Sequence, residues 1–439
     1  MFEVLVGVPV MVKVLAALGL ILILNQFCRH LLVSVGAAAL MLAVWCGHSP
    51  PRIGLIAWER LSSPSNLILM LIIFQVIWLS SQMSETGVME DLVFAVRRMV
   101  SRRGAVAVLP AVIGLLPMPG GALFSAPLVE SCDPAQDLTN RLKAQTNHWF
   151  RHVWEYWWPL YPGILLAIEI TGLDMWQYVL MGLPLTAGSI LSGYYFLLRR
   201  VEPEEESAAV EEDESVPSFF WLVLPIVVVV GGYTLLKLAH YGTQQIWPGV
   251  GPINRMLPMA FGLFCAMTVL QFERPLPRKK WKEIIFSRRA LNMALIVAAV
   301  RVYGAFIEAR LPNGTLLVAQ MRSEMADLGI PLVAVVMLIP LISGLATGIS
   351  LGFVGASFPI VLRLLGADPT VGEVVYTTVL AYGFGYMGML ISPVHVCLVV
   401  TCEYFKTDVM PNILGMLKPA LAMLTWTVVL HVIYRLLLG

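Results

Sequence analysis

The sequence predicts an all-α polytopic membrane protein made of two inverted repeats, with about ten transmembrane spans and two re-entrant helical hairpins. Three observations predict it: an apolar composition, apolar runs of membrane-crossing length, and a series of proline and glycine breaks that recurs in both halves. Of 439 residues, 58% are apolar and 13% charged, against roughly half and about a quarter in soluble domains. The charges crowd between runs such as 5–24, 67–79 and 219–236, and about 20 apolar residues suffice to cross a bilayer core. The bilayer is therefore an expected partner.

A net charge of +1 and short polar loops provide no basic face, which removes nucleic acid as a partner. The six cysteines are scattered, lack paired metal-ligand spacing and fall mostly inside apolar runs, so they read as small hydrophobes. No cofactor and no metal site are expected. The N-terminal segment has neither a basic lead nor a small-residue cleavage site and is expected to remain as the first span.

Spans are predicted near 4–26, 30–46, 65–85, 150–170, 175–198, 218–238, 253–272, 290–309, 372–403 and 411–437. Two further apolar stretches, 105–129 and 331–365, are interrupted by Gly and Pro and read as the hairpins. The stretches 89–103 and 316–328 precede them and suit amphipathic helices lying along the interface. The run 199–217 holds eight acidic residues; it is too polar to insert and reads as a solvated linker between halves. The expected organisation is scaffold spans 1–103, a hairpin and broken span at 104–198, the linker, scaffold spans 218–329, and a second hairpin and broken span at 330–439.

Cytoplasmic loops carry the Lys and Arg excess. Arg274, Arg278, Lys279, Lys280, Lys282, Arg288 and Arg289 put the loop before the eighth span inside, and Arg199 and Arg200 fall on the same side. Arg52 and Arg60 are exceptions. The linker is then cytoplasmic and both termini are outside, in a multi-pass protein of a prokaryotic inner membrane.

Pro110, Gly114, Ser125 and Pro127 are echoed by Pro340, Gly344, Ser357 and Pro359, and Pro184 by Pro419. From Pro127 to the mid-span Pro162 is 35 residues, and from Pro359 to Pro393 is 34. Five crossings per half force the second copy to enter from the opposite face, the inverted pattern of many secondary transporters. Broken helices are tolerated at membrane depth only beside protein or a watery cavity. The breaks at 117–121, 161–163, 344–348 and 392–393 therefore form the candidate site, where helix N-termini suit an anion and bare carbonyls a cation.

Pro119, Gly120, Gly121, Ser125, Thr347, Gly348, Ser350, Ser392 and His395 are the substrate-binding candidates; Glu155, Pro162, Gly163, Ser357 and Pro393 are the coupling-ion candidates. The hydroxyls serve as ligands or bond back to their own helices. His395 is a proton carrier, a carboxylate donor or a packing residue. The Trp-rich segment 147–159 reads mainly as an aromatic belt with snorkelling cations, in which Glu155 pairs with Arg151 or faces the pathway. Arg301, inside an apolar span, requires a partner or water; it forms a buried pair, with Glu308 the nearest acid in sequence, or faces the substrate as a cation. No set of clustered His and acidic residues at one depth is expected, which weighs against a membrane-embedded enzyme.

The hairpin stretch 116–125 and the block 147–159 resemble an uncharacterised prokaryotic membrane family within the ion transporter superfamily, and the likeness covers nearly the whole chain. That superfamily includes gluconate, citrate, C4-dicarboxylate and sodium-proton permeases. The resemblance implies homodimers, a scaffold domain, a hairpin-bearing transport domain and elevator-like movement. Neither tip carries the Ser-Asn-Thr signature of the dicarboxylate branch. By position, 119–121 and 347–350 inherit the tip role, and the Pro162 and Pro393 breaks the mid-span role. The expected function is secondary transport of a small organic anion by an H⁺- or Na⁺-coupled symporter, with a cation/proton antiporter as the alternative.

Overall fold

The computed structural model describes residues 8–28, 30–97, 99–115, 121–134, 136–202 and 219–439. The acidic run at 203–217 lies outside them. Among the described residues the protein is all-helical, with a single isolated β-bridge between Arg310 and Leu316.

Helices α1 (Val10–Cys28), α2 (Leu31–Trp45), α3 (Pro50–Leu61), α4 (Pro64–Glu85) and α5 (Val88–Arg97) come first. They lead to the pair α6 (Arg102–Ile113) and α7 (Ala122–Ser131), then α8 (Asn140–Arg151), α9 (Pro162–Thr171) and α10 (Met175–Phe196). After the linker come α11 (Phe219–Ile246), α12 (Leu257–Glu273), α13 (Arg278–Ile285), α14 (Arg288–Ile307) and α15 (Leu317–Asp327). The pair α16 (Leu332–Thr347) and α17 (Ser350–Arg363) follows, then α18 (Val371–Leu390), α19 (Val396–Tyr404) and α20 (Val409–Leu438).

Their ends are chemically marked. Ser63, Ser101, Thr139, Ser287 and Thr370 accept hydrogen bonds from the backbone N–H three residues on, satisfying one orphan donor each. Pro50, Pro64 and Pro162 open their helices, where the missing N–H is not needed. Helix α16 ends on Gly348 at φ +63°, a left-handed cap. A Cβ there would also meet the His395 backbone N at 2.9 Å, so both conformation and space call for glycine.

Among the described residues six helical stretches are long and apolar enough to cross a membrane: Val10–Cys28, Pro64–Glu85, Met175–Arg200, Trp221–Ile246, Arg278–Ile307 and Val409–Leu438. The count rises to seven if α15 and α16, bent by 114° at their junction, are taken as one span. This is the make-up of a multi-pass membrane protein. The other four expected spans differ for identifiable reasons. Helices α2 and α12 are apolar but have 15 and 17 residues, about 22 and 26 Å at 1.5 Å per residue. The expected spans 150–170 and 372–403 are each divided, the first between α8 and α9 and the second between α18 and α19. Helices α3 and α13, short and amphipathic, were not anticipated.

Helix α1 packs on α2 and α11 on α12; α4 packs on α12 and α2 on α14; α4 meets α14 directly. The pair α6–α7 packs on α8, and α16–α17 on α18. Between these groups α9 packs on α17 and α19 on α7. Helix α8 is buried at every residue from Leu142 to Arg151 and α18 at every residue from Thr377 to Leu390, so the middle of the molecule is these two helices with the short α9 and α19.

Close approach along α16 and α18 relies on small residues, as at many membrane helix contacts. A Cβ at Gly344 would fall 2.1 Å from the Gly385 carbonyl oxygen, and one at Gly388 would fall 2.2 Å from that of Leu341. At Gly231 a Cβ meets nothing within 4 Å. Gly344→Ala is expected to lose about 1–3 kcal/mol through overpacking, lowering the thermal unfolding midpoint of the detergent-purified protein, whereas Gly231→Ala, inside a helix with open space beside it, keeps or slightly raises it. Equal midpoints for the two variants would contradict this packing.

Candidate functional site

The Trp-rich segment is the starting point, because its residues are not on the surface. Trp149 and Tyr156 are fully buried. After α8 the chain runs through turns at 152–158 before Pro162 restarts a helix. The orphan carbonyls at the end of α6 are met by side chains from this segment. The Trp154 and Trp158 indole N–H groups donate to the Ala111 and Leu115 carbonyls at 2.8 Å, and the Tyr161 hydroxyl donates to that of Gly114. The turn's own carbonyls are met from α18: Tyr382 donates to Glu155 at 2.6 Å and Tyr386 to His152 at 2.5 Å. The aromatic-belt reading is therefore corrected. These residues satisfy broken backbone inside the protein.

In the second half Ser392 donates to the Leu345 carbonyl at 2.5 Å, close to the end of α16. The breaks then come together. A Cβ on Gly163 would fall 2.7 Å from Ser350 Oγ, so the start of α9 lies against the start of α17. Gly348 abuts His395, and a Cβ on Gly121 would fall 2.0 Å from Arg151 Nη2. The Arg151 guanidinium thus covers the start of α7, and its Nη1 reaches Cys397 Sγ at 3.4 Å.

These residues enclose a cavity of about 200 Å³, lined by Arg151, His152, Glu155, Tyr161, Pro162, Gly163, Gly348, Ser350, His395, Cys397 and Arg289. Helices α9, α17 and α19 all begin at it, and their N-cap residues Tyr161, Ile349 and His395 supply no side-chain cap. Each start turns the positive end of a helix dipole toward the space, and the first turns of α17 and α19 bring backbone N–H groups there, while α9, which opens on Pro162, brings that of Gly163. Buried polar side chains, arginine and helix N-termini around one concave space make it the candidate site.

The expected residues distribute unevenly around it. Glu155, Pro162, Gly163, Gly348, Ser350 and His395 line it; Gly121 touches it through Arg151. Thr347 and Pro393 line a neighbouring cavity of about 590 Å³, and the Thr347 hydroxyl bonds back to Ser343 at 2.7 Å. Ser357 bonds back to Phe353 at 2.6 Å. Ser125 is buried in α7 away from the cavity lining, and its Oγ has no partner among the described residues. Pro119 and Gly120 lie outside the described residues.

Sequence reasoning missed His148 and His152. They lie four residues apart on one face of α8 and at its end, and His395 meets them from the second half. The three ring centroids are 4.8 to 4.9 Å apart, and one ligand nitrogen of each lies within 4.8 Å of the others. Glu155 Oε1 is 3.8 Å from His152 Nε2. The expectation that no His and acidic residues share a depth is overturned. The signal was present as i, i+4 histidines, which share one helical side, with a glutamate three residues on in the turn that follows.

The model of one protein family, described as protein of unknown function (DUF401), matches residues 9–246 and 254–438. The chain belongs to the DUF401 family. No curated protein matches it.

In this family member Arg301 has a different partner from the one expected. It donates to Glu169 of α9 at 3.1 Å, and Arg255 lies 3.7 Å from the same carboxylate. Glu308 pairs instead with Arg60 and, at 2.8 Å, with Arg363. A cavity of about 320 Å³ separates these groups. At the base of the first hairpin Asp133 holds Arg102 at 2.7 Å and Lys143 at 2.6 Å. There the hydrogen bond from Arg102 holds the exposed Asp137 carboxyl down to about 2.

Arg301 and Glu169 are both buried, so Glu169→Gln alone should cost about 3–5 kcal/mol by leaving a charge uncompensated. Pairing it with Arg301→Met should restore most of that, read as recovery of the unfolding midpoint. A double variant less stable than the single one would show that the two charges are not a pair.

Proposed function

We propose that this protein is a secondary active transporter of a small organic anion of the carboxylate type, coupled to H⁺ or Na⁺. The observation that carries the reading is the convergence of α9, α17 and α19 N-termini on one cavity that also holds Arg151 and Arg289. Oriented N–H groups and guanidinium N–H donors in a water-poor space bind carboxylate oxygens, and arginine does so through two parallel bonds.

Two inverted repeats belong to the same proposal. Helices α1–α10 correspond in order to α11–α20, and the packing pairs correspond as well: α1–α2 with α11–α12, α2–α14 with α12–α4, α5–α11 with α15–α1, and α9–α17 with α19–α7. A two-fold axis within the membrane accounts for this and puts the broken helices near the midplane. The scaffold is then α1–α5 with α11–α15, and the transport domain α6–α10 with α16–α20. The likeness to the ion transporter superfamily extends the proposal to a homodimer with elevator-like movement in an inner membrane. Positive charge near the span ends supports a cytoplasmic linker and external termini. Single-cysteine labelling in right-side-out vesicles should then modify residue 174 from outside and residue 208 only after permeabilisation; labelling of both from one face would sink the inverted topology.

The anion site has its own test. A thermal-shift screen of purified protein against small carboxylates and sulfonates, with and without Na⁺, should yield a stabilising anion by mass action. Arg151→Lys should weaken that anion about 10- to 100-fold, the loss of a charge-assisted hydrogen bond worth about 1.5–3 kcal/mol. Absence of any stabilising anion, together with no anion uptake into proteoliposomes, would defeat the reading. The antiporter alternative draws support from Glu155, a carboxylate inside the cavity; gradient-driven Na⁺/H⁺ exchange lost in Glu155→Gln, with no anion dependence, would favour it instead.

A further inference from the structure

We infer that His148, His152 and His395 form a binding site for one divalent transition-metal ion of the Zn²⁺ class. The inference does not depend on the anion reading. It follows from where each imidazole places its proton.

His148 Nε2 lies 2.9 Å from the Leu390 carbonyl oxygen. A carbonyl only accepts, so Nε2 carries the hydrogen and Nδ1 is left as a bare lone pair. That Nδ1 is buried and has no hydrogen-bond partner among the described residues. His152 is arranged the other way: Nδ1 lies 2.7 Å from the His148 carbonyl, so Nε2 is the bare nitrogen. It accepts a hydrogen bond from His395 Nε2 at 3.1 Å, and a bound ion would take that proton's place, the His395 proton moving to its otherwise unpartnered Nδ1. Metal-binding histidines characteristically donate their second ring N–H to a backbone carbonyl or carboxylate, which fixes tautomer and ring orientation. Two of the three rings here are fixed that way, by carbonyls of α18 and α8.

The spacing fits an ion. Imidazole nitrogens about 2.0–2.1 Å from a tetrahedral Zn²⁺ lie roughly 3.3 Å apart. The His152–His395 separation is close to this, and small rotations of rings whose nitrogens already lie within 4.8 Å of each other complete the triangle. Three nitrogens leave a fourth position. Glu155, 3.8 Å from His152 Nε2, is the neighbouring carboxyl group, and its ionised form would offset the charge of an ion held near the Arg151 guanidinium. His152 and His395 also line the cavity, so the ion would be reachable from it. Nitrogen and carboxylate donors in this number select Zn²⁺, Co²⁺, Ni²⁺ or Fe²⁺ over Mg²⁺ and Ca²⁺, which demand six or more oxygens. The ion would join the two halves, since His148 and His152 belong to the first and His395 to the second.

The test uses the full chain in detergent, stripped with chelator and titrated with Co²⁺. The expected result is one Co²⁺ per chain, with the visible ligand-field bands of a tetrahedral nitrogen site, no thiolate charge-transfer band despite nearby Cys397, and displacement by Zn²⁺. His148→Ala and His395→Ala should each weaken binding by more than about 100-fold, beyond the loss on removing a group that only orients a metal-binding ring. His431→Ala, whose ring bonds the Tyr376 carbonyl elsewhere, should bind like the parent chain. A parent chain that binds no Co²⁺ or Zn²⁺, a thiolate spectrum, or unchanged binding in folded His148→Ala or His395→Ala would overturn the site. The parent spectrum decides the matter if those variants do not fold.

Discussion

Everything in the middle of this molecule follows from the cost of an unpaired peptide group in a medium without water. Helices α6, α8, α16 and α18 stop inside the protein, and each stop leaves backbone groups without helical partners. The carbonyl ends are closed by side chains brought from another element: two indoles and a phenol for α6, the Ser392 hydroxyl beside the end of α16, two tyrosines for the turn after α8. The N–H ends of α9, α17 and α19 have no such closure and open on a shared cavity. That asymmetry generates the chemistry, because buried donors without acceptors favour an occupant that brings them.

The arrangement also explains why the segment 147–159 is so rich in tryptophan and tyrosine. A buried ring with one polar atom fills space between helices while delivering a single donor at a fixed reach. Leucine would fill the space and leave the carbonyls unpaired; a serine or threonine hydroxyl reaches another helix only at close approach, as Ser392 does, and otherwise bonds back to its own, as those of Ser357 and Thr347 do.

Much of the architecture was legible from residue order. Apolar runs marked the long helices, most of them to within a few residues, and Pro162 and Pro393 marked the places where helices break before α9 and α19. What failed did so where local pattern and tertiary surroundings diverge. Trp and Arg beside an apolar run look the same at a lipid interface as in a buried turn, so the aromatic segment was misassigned. Nearness in sequence misled for Arg301, whose partner Glu169 comes from a helix 132 residues away. The paired histidines on α8 gave a visible i, i+4 spacing, but their meeting with His395 depends on how the halves fold together.

The first hairpin is fastened to its broken span at both extremities: by Asp133 with Arg102 and Lys143 at the base, and by the indole and phenol donors near the tip. A beam pinned at two points neither pivots nor slides against its support. Helices α6 and α7 and the segment 152–161 are thereby braced into one rigid unit, which fixes the wall of the cavity that Arg151, Glu155 and Tyr161 provide.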